Sequence, residues 1–329
     1  MRKVSAIFVL ISILCTATSF STDPTPRKVP KLRTIIIDPG HGGADEGARG
    51  LISTEKEITL DISLKLGKAV QEEFPDLKIV YTRTSDVLPG GGDDYRPALK
   101  VRAEIANKSK GDLFICIHCN SNGHPPGGYY AKRVIGHKKK TVYVGSGKKK
   151  KKKIINAPIY ESYWVKNTHI GTESYIWKAD RSGNKADAIN ETDEGIPEAA
   201  DDSLNNIIFD MNSTEAKIRA QLYEKTFFDN SFLFASLVED EFKKSGRESW
   251  GVKQRDKGIQ VLQATGMPSV LVETGFITSK EEEEYLNSDK GQNEVVDDII
   301  NALKRYKDEL ENGRSPVSKA NSVNSANSR

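Results

Sequence analysis

Three short apolar runs, each stopping at a residue able to do chemistry, constrain this chain more than anything else in it. Thr34-Ile35-Ile36-Ile37 runs into Asp38-Pro39-Gly40-His41-Gly42-Gly43, Leu113-Phe114-Ile115-Cys116-Ile117 into His118, and Ser269-Val270-Leu271-Val272 into Glu273. Unbroken apolar runs of this length suit strands buried on both faces. Segments of helical period lie between them. From Glu55 to Glu73, Ile58, Ile62, Leu66 and Val70 recur at helical spacing, behind Thr54 as N-cap and Glu57 as its capping-box partner. Leu77 to Thr82 reads as a further strand, Tyr95 to Lys108 as a helix and Gln292 to Leu310 as the closing helix. Strands alternating with helices predict an α/β fold, a mostly parallel twisted sheet flanked by helices.

A single catalytic domain is expected over 32–311, interrupted by an insertion at 122–206. Ahead of it, Arg2 and Lys3 precede an apolar run from Val4 to Cys15 and then small and hydroxyl residues, the order of a secretory signal peptide, here 1–21. The run is short for a membrane span, which needs ~20 residues, and Leu14 is too large for lipoprotein cleavage before Cys15. A Pro-rich linker follows at 22–31, and 312–329, rich in Ser and Asn, reads as a disordered tail. The insertion holds lysines at 138–140 and 148–153 and shows no regular core element before Thr172 to Trp177, which reads as a strand. With no aromatic residues interleaved among the lysines, it reads as a solvated basic loop. Leu204 to Lys244 reads as a long helical region with a break near Asn230.

Forty-nine Lys and Arg against 46 acids leave a net charge of only +3, which argues against a nucleic-acid binder. Three cysteines cannot frame a disulfide fold. Cys116 and Cys119 sit three apart on a strand and so face opposite sides. Their C-x-x-C spacing lacks the second ligand pair that a closed zinc site needs.

His41, His118 and Glu273 each stand at or just past the C-terminal end of a predicted strand, and in a parallel sheet those ends share one edge, where open α/β sheets bind ligands. Glu55 opens the helix that leaves the same edge, and with Glu57 occupied at the cap it is the freer carboxylate. Two histidines and a glutamate with an open fourth position form a hydrolytic zinc site, which lowers the pKa of water towards ~7 and polarises a carbonyl. A further carboxylate, Glu273, is then placed to move the proton to a leaving nitrogen.

These residues resemble the zinc-dependent N-acetylmuramoyl-L-alanine amidases of the amidase-3 family. The matching motifs occur in order: Ile36 to Gly43, Glu55-Lys56, Thr82 to Asp86, Arg102 to Asn107, Phe114 to Asn120, Gly251 to Gln254 and Val272 to Phe276. The resemblance implies zinc on His41, Glu55 and His118, Glu273 as general base and acid, and hydrolysis of the amide between N-acetylmuramic acid and L-alanine in peptidoglycan, outside the cytoplasm in the periplasm. It departs from the family pattern at Cys116, at Cys119 and in the lysine-rich insertion. In division-type members an inserted helix covers the zinc until an activator protein displaces it. Segment 186–212, with seven acids between Glu191 and Asp210, lies in the matching place and reads either as such a cover or as a substrate-binding surface loop. Two rival functions share the chemistry or the fold: a zinc carboxypeptidase or endopeptidase of the stem peptide, and a non-catalytic wall-binding protein. Neither nucleic acid nor a stable membrane span is expected among its partners.

Overall fold

The computed structural model describes residues 31–178, 214–255 and 259–312. The expected signal peptide 1–21, nearly all of linker 22–31 and tail 312–329, and the whole of segment 186–212 lie outside the described residues.

Six strands form one sheet. They are β1 (Thr34–Pro39), β2 (Lys78–Tyr81), β3 (Leu113–Asn120), β6 (Thr172–Trp177), β7 (Ser249–Arg255) and β8 (Ser269–Phe276), in the spatial order β2-β1-β3-β8-β6-β7. β2, β1, β3 and β8 pair in parallel, β6 runs antiparallel to β8, and β7 lies parallel to β6 at the edge. This is the mostly parallel sheet expected, with its direction reversed once. The apolar runs are continuous because both faces are covered, so alternate residues enter different cores. Ile35, Ile37, Ile115, Ile117, Val270 and Val272 pack with helices α1 (Glu55–Glu73), α3 (Thr214–Lys244) and α6 (Asp289–Glu311). Ile36, Phe114, Cys116 and Leu271 pack on the other side, with Ala106 of α2 (Tyr95–Lys108), Leu262 of α4 (Gln260–Ala264) and Trp177. Cys119 belongs to the first core, so the two cysteines face opposite ways and stay free thiols. Thr54 caps α1 as expected, its backbone N–H donating to Glu57 Oε2 at 2.8 Å.

The structure corrects the sequence reading in three places. The first half of the insertion is no loop: β4 (Gly128–Val144) and β5 (Lys151–Lys166) form an antiparallel hairpin, turning through Gly145 and Gly147, both at positive φ. Nearly every side chain on both strands is solvated, so no alternation towards a core marks them as strands. Backbone pairing between the two strands holds them instead. The helix described from Thr214 does not break near Asn230, because Phe227, Ser231 and Phe234 keep one buried face running past it, and the Ser231 hydroxyl donates to the Phe227 carbonyl at 2.7 Å. Finally, α5 (Lys280–Leu286), α4 and β7 are short or polar elements without a periodic signature, and the closing helix starts earlier than expected, at Asp289. Its N-cap is Ser288, whose hydroxyl accepts from the Gly291 N–H. No helix among the described residues is long and apolar enough to cross a membrane.

Candidate active site

The chain leaves β1 through Asp38-Pro39-Gly40-His41, and this turn is held by two arginines from other elements. Asp38 is buried and pairs with Arg102 of α2, the Thr82 hydroxyl and the Cys116 thiol. Burial pushes its carboxyl up, but the Arg102 charge and these hydrogen bonds outweigh it and hold the pKa below the ordinary value. Arg102 also donates to the carbonyls of Pro39 and His41. Arg83, just past β2, donates to the carbonyls of Pro39, Gly40 and Lys56. Burial lowers the Arg83 pKa to about 10. The turn is crowded: a Cβ on Gly40 would sit 2.6 Å from the His118 ring. His41 itself adopts φ 60°, a conformation that costs a non-glycine residue energy and is kept only where neighbours enforce it.

Glu55 stands at the first position of α1, buried, with every acceptor direction used. Oε2 accepts from the Ala48 N–H at 2.7 Å and lies 3.1 Å from His41 Nε2; Oε1 accepts from the Cys119 N–H at 3.0 Å and lies 2.8 Å from His118 Nδ1. The other nitrogen of His41 faces Asp45 Oδ2 at 2.8 Å, the carboxylate partner that commonly orients a metal-binding imidazole. One ligand atom from each of His41, Glu55 and His118 lies within 4.8 Å of the others. Three elements therefore converge: the turn after β1, the start of α1 and the end of β3. Burial would raise the Glu55 pKa, but contacts with His118 and His41 depress it far below the carboxylate range. Burial would lower the His41 pKa, yet hydrogen bonds to Asp45 and Glu55 and their charges lift it to about 9.

Glu273 stands beside His118 in the β3–β8 pairing and beside Glu173 in the antiparallel β8–β6 pairing. It is buried, and its Oε2 has no hydrogen-bond partner among the described residues. Burial first, then the charges of Glu55 and Glu173, raise its pKa well above the usual value. A cleft of about 660 Å³ opens over His41 and His118, with Leu99, Ile259, Val261 and Leu262 on its walls.

All four residues singled out in the sequence thus gather at one end of the sheet. Sequence reasoning missed Glu173, which accepts from Asn120, from the Tyr175 hydroxyl at 2.6 Å and from Lys253. It also gave no role to Asp38, Arg83 or Arg102. An acid directly after an apolar run, an arginine just past β2 and another midway along α2 were the available signal.

The sequence model of the N-acetylmuramoyl-L-alanine amidase family matches residues 35–305. The chain is 26% identical over 287 residues to N-acetylmuramoyl-L-alanine amidase AmiC of Escherichia coli O6:H1, covering 86% of this chain and 55% of that protein. It spans about half the length of the first curated relatives it matches. Among solved structures it is similar to an N-acetylmuramoyl-L-alanine amidase from Clostridium difficile 630, with TM-score 0.51 and 21% identity over 85% of this chain and 98% of that one. It is also similar to the CwlD amidase of Clostridioides difficile, solved in complex with the GerS lipoprotein, with TM-score 0.50 and 20% identity over 83% of this chain and 98% of that one. At that identity these structures speak for the fold alone.

Proposed function

The chain belongs to the N-acetylmuramoyl-L-alanine amidase family, and on that premise we propose that it hydrolyses the amide between N-acetylmuramic acid and L-alanine in peptidoglycan. The observation that carries this reading is the convergence of His41, Glu55 and His118 beside the buried carboxylate of Glu273, whose Oε2 has no hydrogen-bond partner among the described residues.

The donor set fits zinc. Two imidazole nitrogens and one carboxylate make a three-ligand site with an open position, and Asp45 orients His41 from behind. Glu55 already gathers both rings through the atoms a cation would take. When bound, zinc supplies a Lewis acid that polarises the amide carbonyl and acidifies water. The remaining chemistry falls to the chain's own groups. Glu273, as the carboxylate, takes a proton from the attacking water; its burial and acidic neighbours, which raise its pKa, then hold that proton on the carboxyl until it is delivered to the leaving nitrogen of L-alanine. Arg83 and Arg102 fix the turn that carries His41, so the ring is in place before substrate arrives.

The finer reading is of an exported enzyme acting in the periplasm on wall remodelling and daughter-cell separation, after removal of signal peptide 1–21. Segment 186–212, outside the described residues, is proposed to cover the site until an activator protein displaces it. Deleting it is then expected to raise activity on sacculi, and unchanged activity refutes the cover.

The amidase reading is tested by mass spectrometry of what the purified protein, with and without that segment, releases from sacculi, with and without a zinc chelator. Chelator-sensitive release of intact stem peptides bearing a free N-terminal L-alanine is expected. Single terminal residues or cross-link products would favour the peptidase, and no release from either form would favour the non-catalytic wall-binding protein.

A further inference from the structure

We propose that the β4–β5 hairpin is a docking arm for a bilayer surface rich in anionic phospholipid. This goes beyond the amidase reading and does not depend on it.

The hairpin reaches about 50 Å at ~3.3 Å per residue. Its root is fixed at the site edge of the sheet: the Gly127 N–H donates to the Thr278 carbonyl at 2.9 Å, the Asn167 N–H to the Gly127 carbonyl at 3.1 Å, and Lys166 pairs with Glu281. The 39 residues 128–166 hold 12 Lys and Arg against the single acid Glu161, a net of +11 in a chain whose total is +3, so the rest of the chain carries −8. The net positive charge that would attract an anionic surface therefore lies in the arm, and it grows towards the tip, where every charged residue from Lys138 to Lys153 is a lysine.

Charge alone would suit any polyanion. The apolar side chains narrow the choice. Directly paired residues share a face and faces alternate, and the extra residue Ile135 resets that alternation once. Tyr130, Trp164, Val134 and Tyr160 near the root thereby share one face with Ile154 and Tyr143 near the tip. All six are exposed, with Tyr143 at 67% and Ile154 at 62% relative exposure. Lysines stand among them on that face, Lys132 between Tyr130 and Val134, Lys139 two residues before the partner of Ile154, and Lys152 paired with Tyr143, while the opposite face pairs Val144 with Lys151 and Val142 with Lys153. Solvated aliphatic side chains such as Val144 and Ile154 stack on nothing and bind no soluble polyanion, but they gain by entering the boundary between headgroups and acyl chains. Lysines beside them gain from the negative surface potential, about fivefold in affinity for each lysine near the surface. A bilayer is the partner for which both properties are complementary. The same pairing explains why the sequence reading of a solvated loop fell short, since near the tip Tyr143 meets Lys152 only across the hairpin.

The test is vesicle flotation of the full chain with pure phosphatidylcholine and with a 7:3 mixture of phosphatidylcholine and phosphatidylglycerol, at 0.1 M and 1 M salt. One variant carries Lys138→Gln, Lys139→Gln, Lys140→Gln, Lys151→Gln, Lys152→Gln and Lys153→Gln; a second carries Tyr143→Ser, Val144→Ser and Ile154→Ser. The N-terminal apolar run is common to all, so any binding it contributes cancels in the comparison. The wild-type chain is expected to bind anionic vesicles at least ~100-fold better than neutral ones, and 1 M salt and the lysine variant each to remove most of that preference. The serine variant is expected to lose roughly tenfold in vesicle binding while still binding soluble dextran sulfate. Equal binding to neutral and anionic vesicles, or a lysine variant that binds like wild type, overturns the proposal. A serine variant with undiminished vesicle binding also overturns it, in favour of a polyanion site. Should the lysine variant fail to fold by circular dichroism, the salt series on the wild-type chain decides.

Discussion

Replacing Glu273 by Gln separates what the site does from what holds the fold together. The carboxylate is buried, its Oε2 has no partner among the described residues, and its pKa is raised by burial and by the charges of Glu55 and Glu173. A carboxyl whose folded pKa lies above its ordinary value adds stability while protonated, below the ordinary value of 4.5, and loses it as pH rises through the folded value. In chelator-treated protein, wild type and Glu273→Gln should therefore melt nearly together at pH 4.5, and the variant should be the more stable at pH 7.5. A buried polar group left without a partner costs about 1–3 kcal/mol, and a charged one more. That corresponds to a rise of several degrees, at ~2–4 °C per kcal/mol for a domain of this size. Removing a general acid and base costs about 10²–10⁴ in rate, so the same variant, resupplied with zinc, should retain metal but lose turnover by that factor. Thermal melts at two pH values, kcat on purified sacculi and metal content are the assays. A kcat within tenfold of wild type would refute the assigned role, and a variant less stable than wild type at pH 7.5 would refute the account of the strained carboxylate.

Arg102→Ala leaves Asp38 buried without its cation, and a loss of about 3–5 kcal/mol is expected in urea unfolding. Arg102→Lys should not rescue it, because one planar fork serves Asp38 and the carbonyls of Pro39 and His41 together. Gly40→Ala drives a methyl group against the His118 ring, and isothermal titration should find zinc affinity weakened at least ~10-fold, as for disturbed ligand support. The His41 pKa of about 9 against an ordinary 6.5 means that its stabilising contribution is complete below pH 6.5 and lost as pH rises through about 9. The unfolding free energy of chelator-treated protein, from urea titrations, should accordingly fall over that window by on the order of 3 kcal/mol. Zinc affinity should rise over the same window as the proton leaves.

Much of this architecture was legible because the decisive strands are covered on both faces. β1, β3 and β8 read as unbroken apolar runs, and the chemically able residues at or just past their ends come together at one end of the sheet. His41, His118 and Glu273 declare themselves in that way, and Glu55 does so through the capping box of Thr54 and Glu57, which fixes where α1 begins. Glu173 was hidden because Thr172-Glu173-Ser174 is a polar strand start, and it meets Glu273 only through an antiparallel register between segments a hundred residues apart in the chain. Asp38 and Arg102 were hidden for a related reason, since a buried ion pair leaves no periodic trace. The arm was misread because strands exposed on both faces carry no alternation, and pairing between Val142 and Lys153 cannot be seen in either segment alone. The continuous course of α3 past Asn230 depended on apolar neighbours outweighing a residue with weak helix preference.

The central claim is that His41, Glu55 and His118 together hold the catalytic metal. Anomalous scattering from crystals of the zinc-soaked protein, recorded above and below the zinc edge, tests it most directly. One strong peak bonded to all three side chains, and absent from His118→Ala crystals treated alike, is the predicted result. A peak bound by other residues, or one that persists unchanged in the variant, would contradict the account.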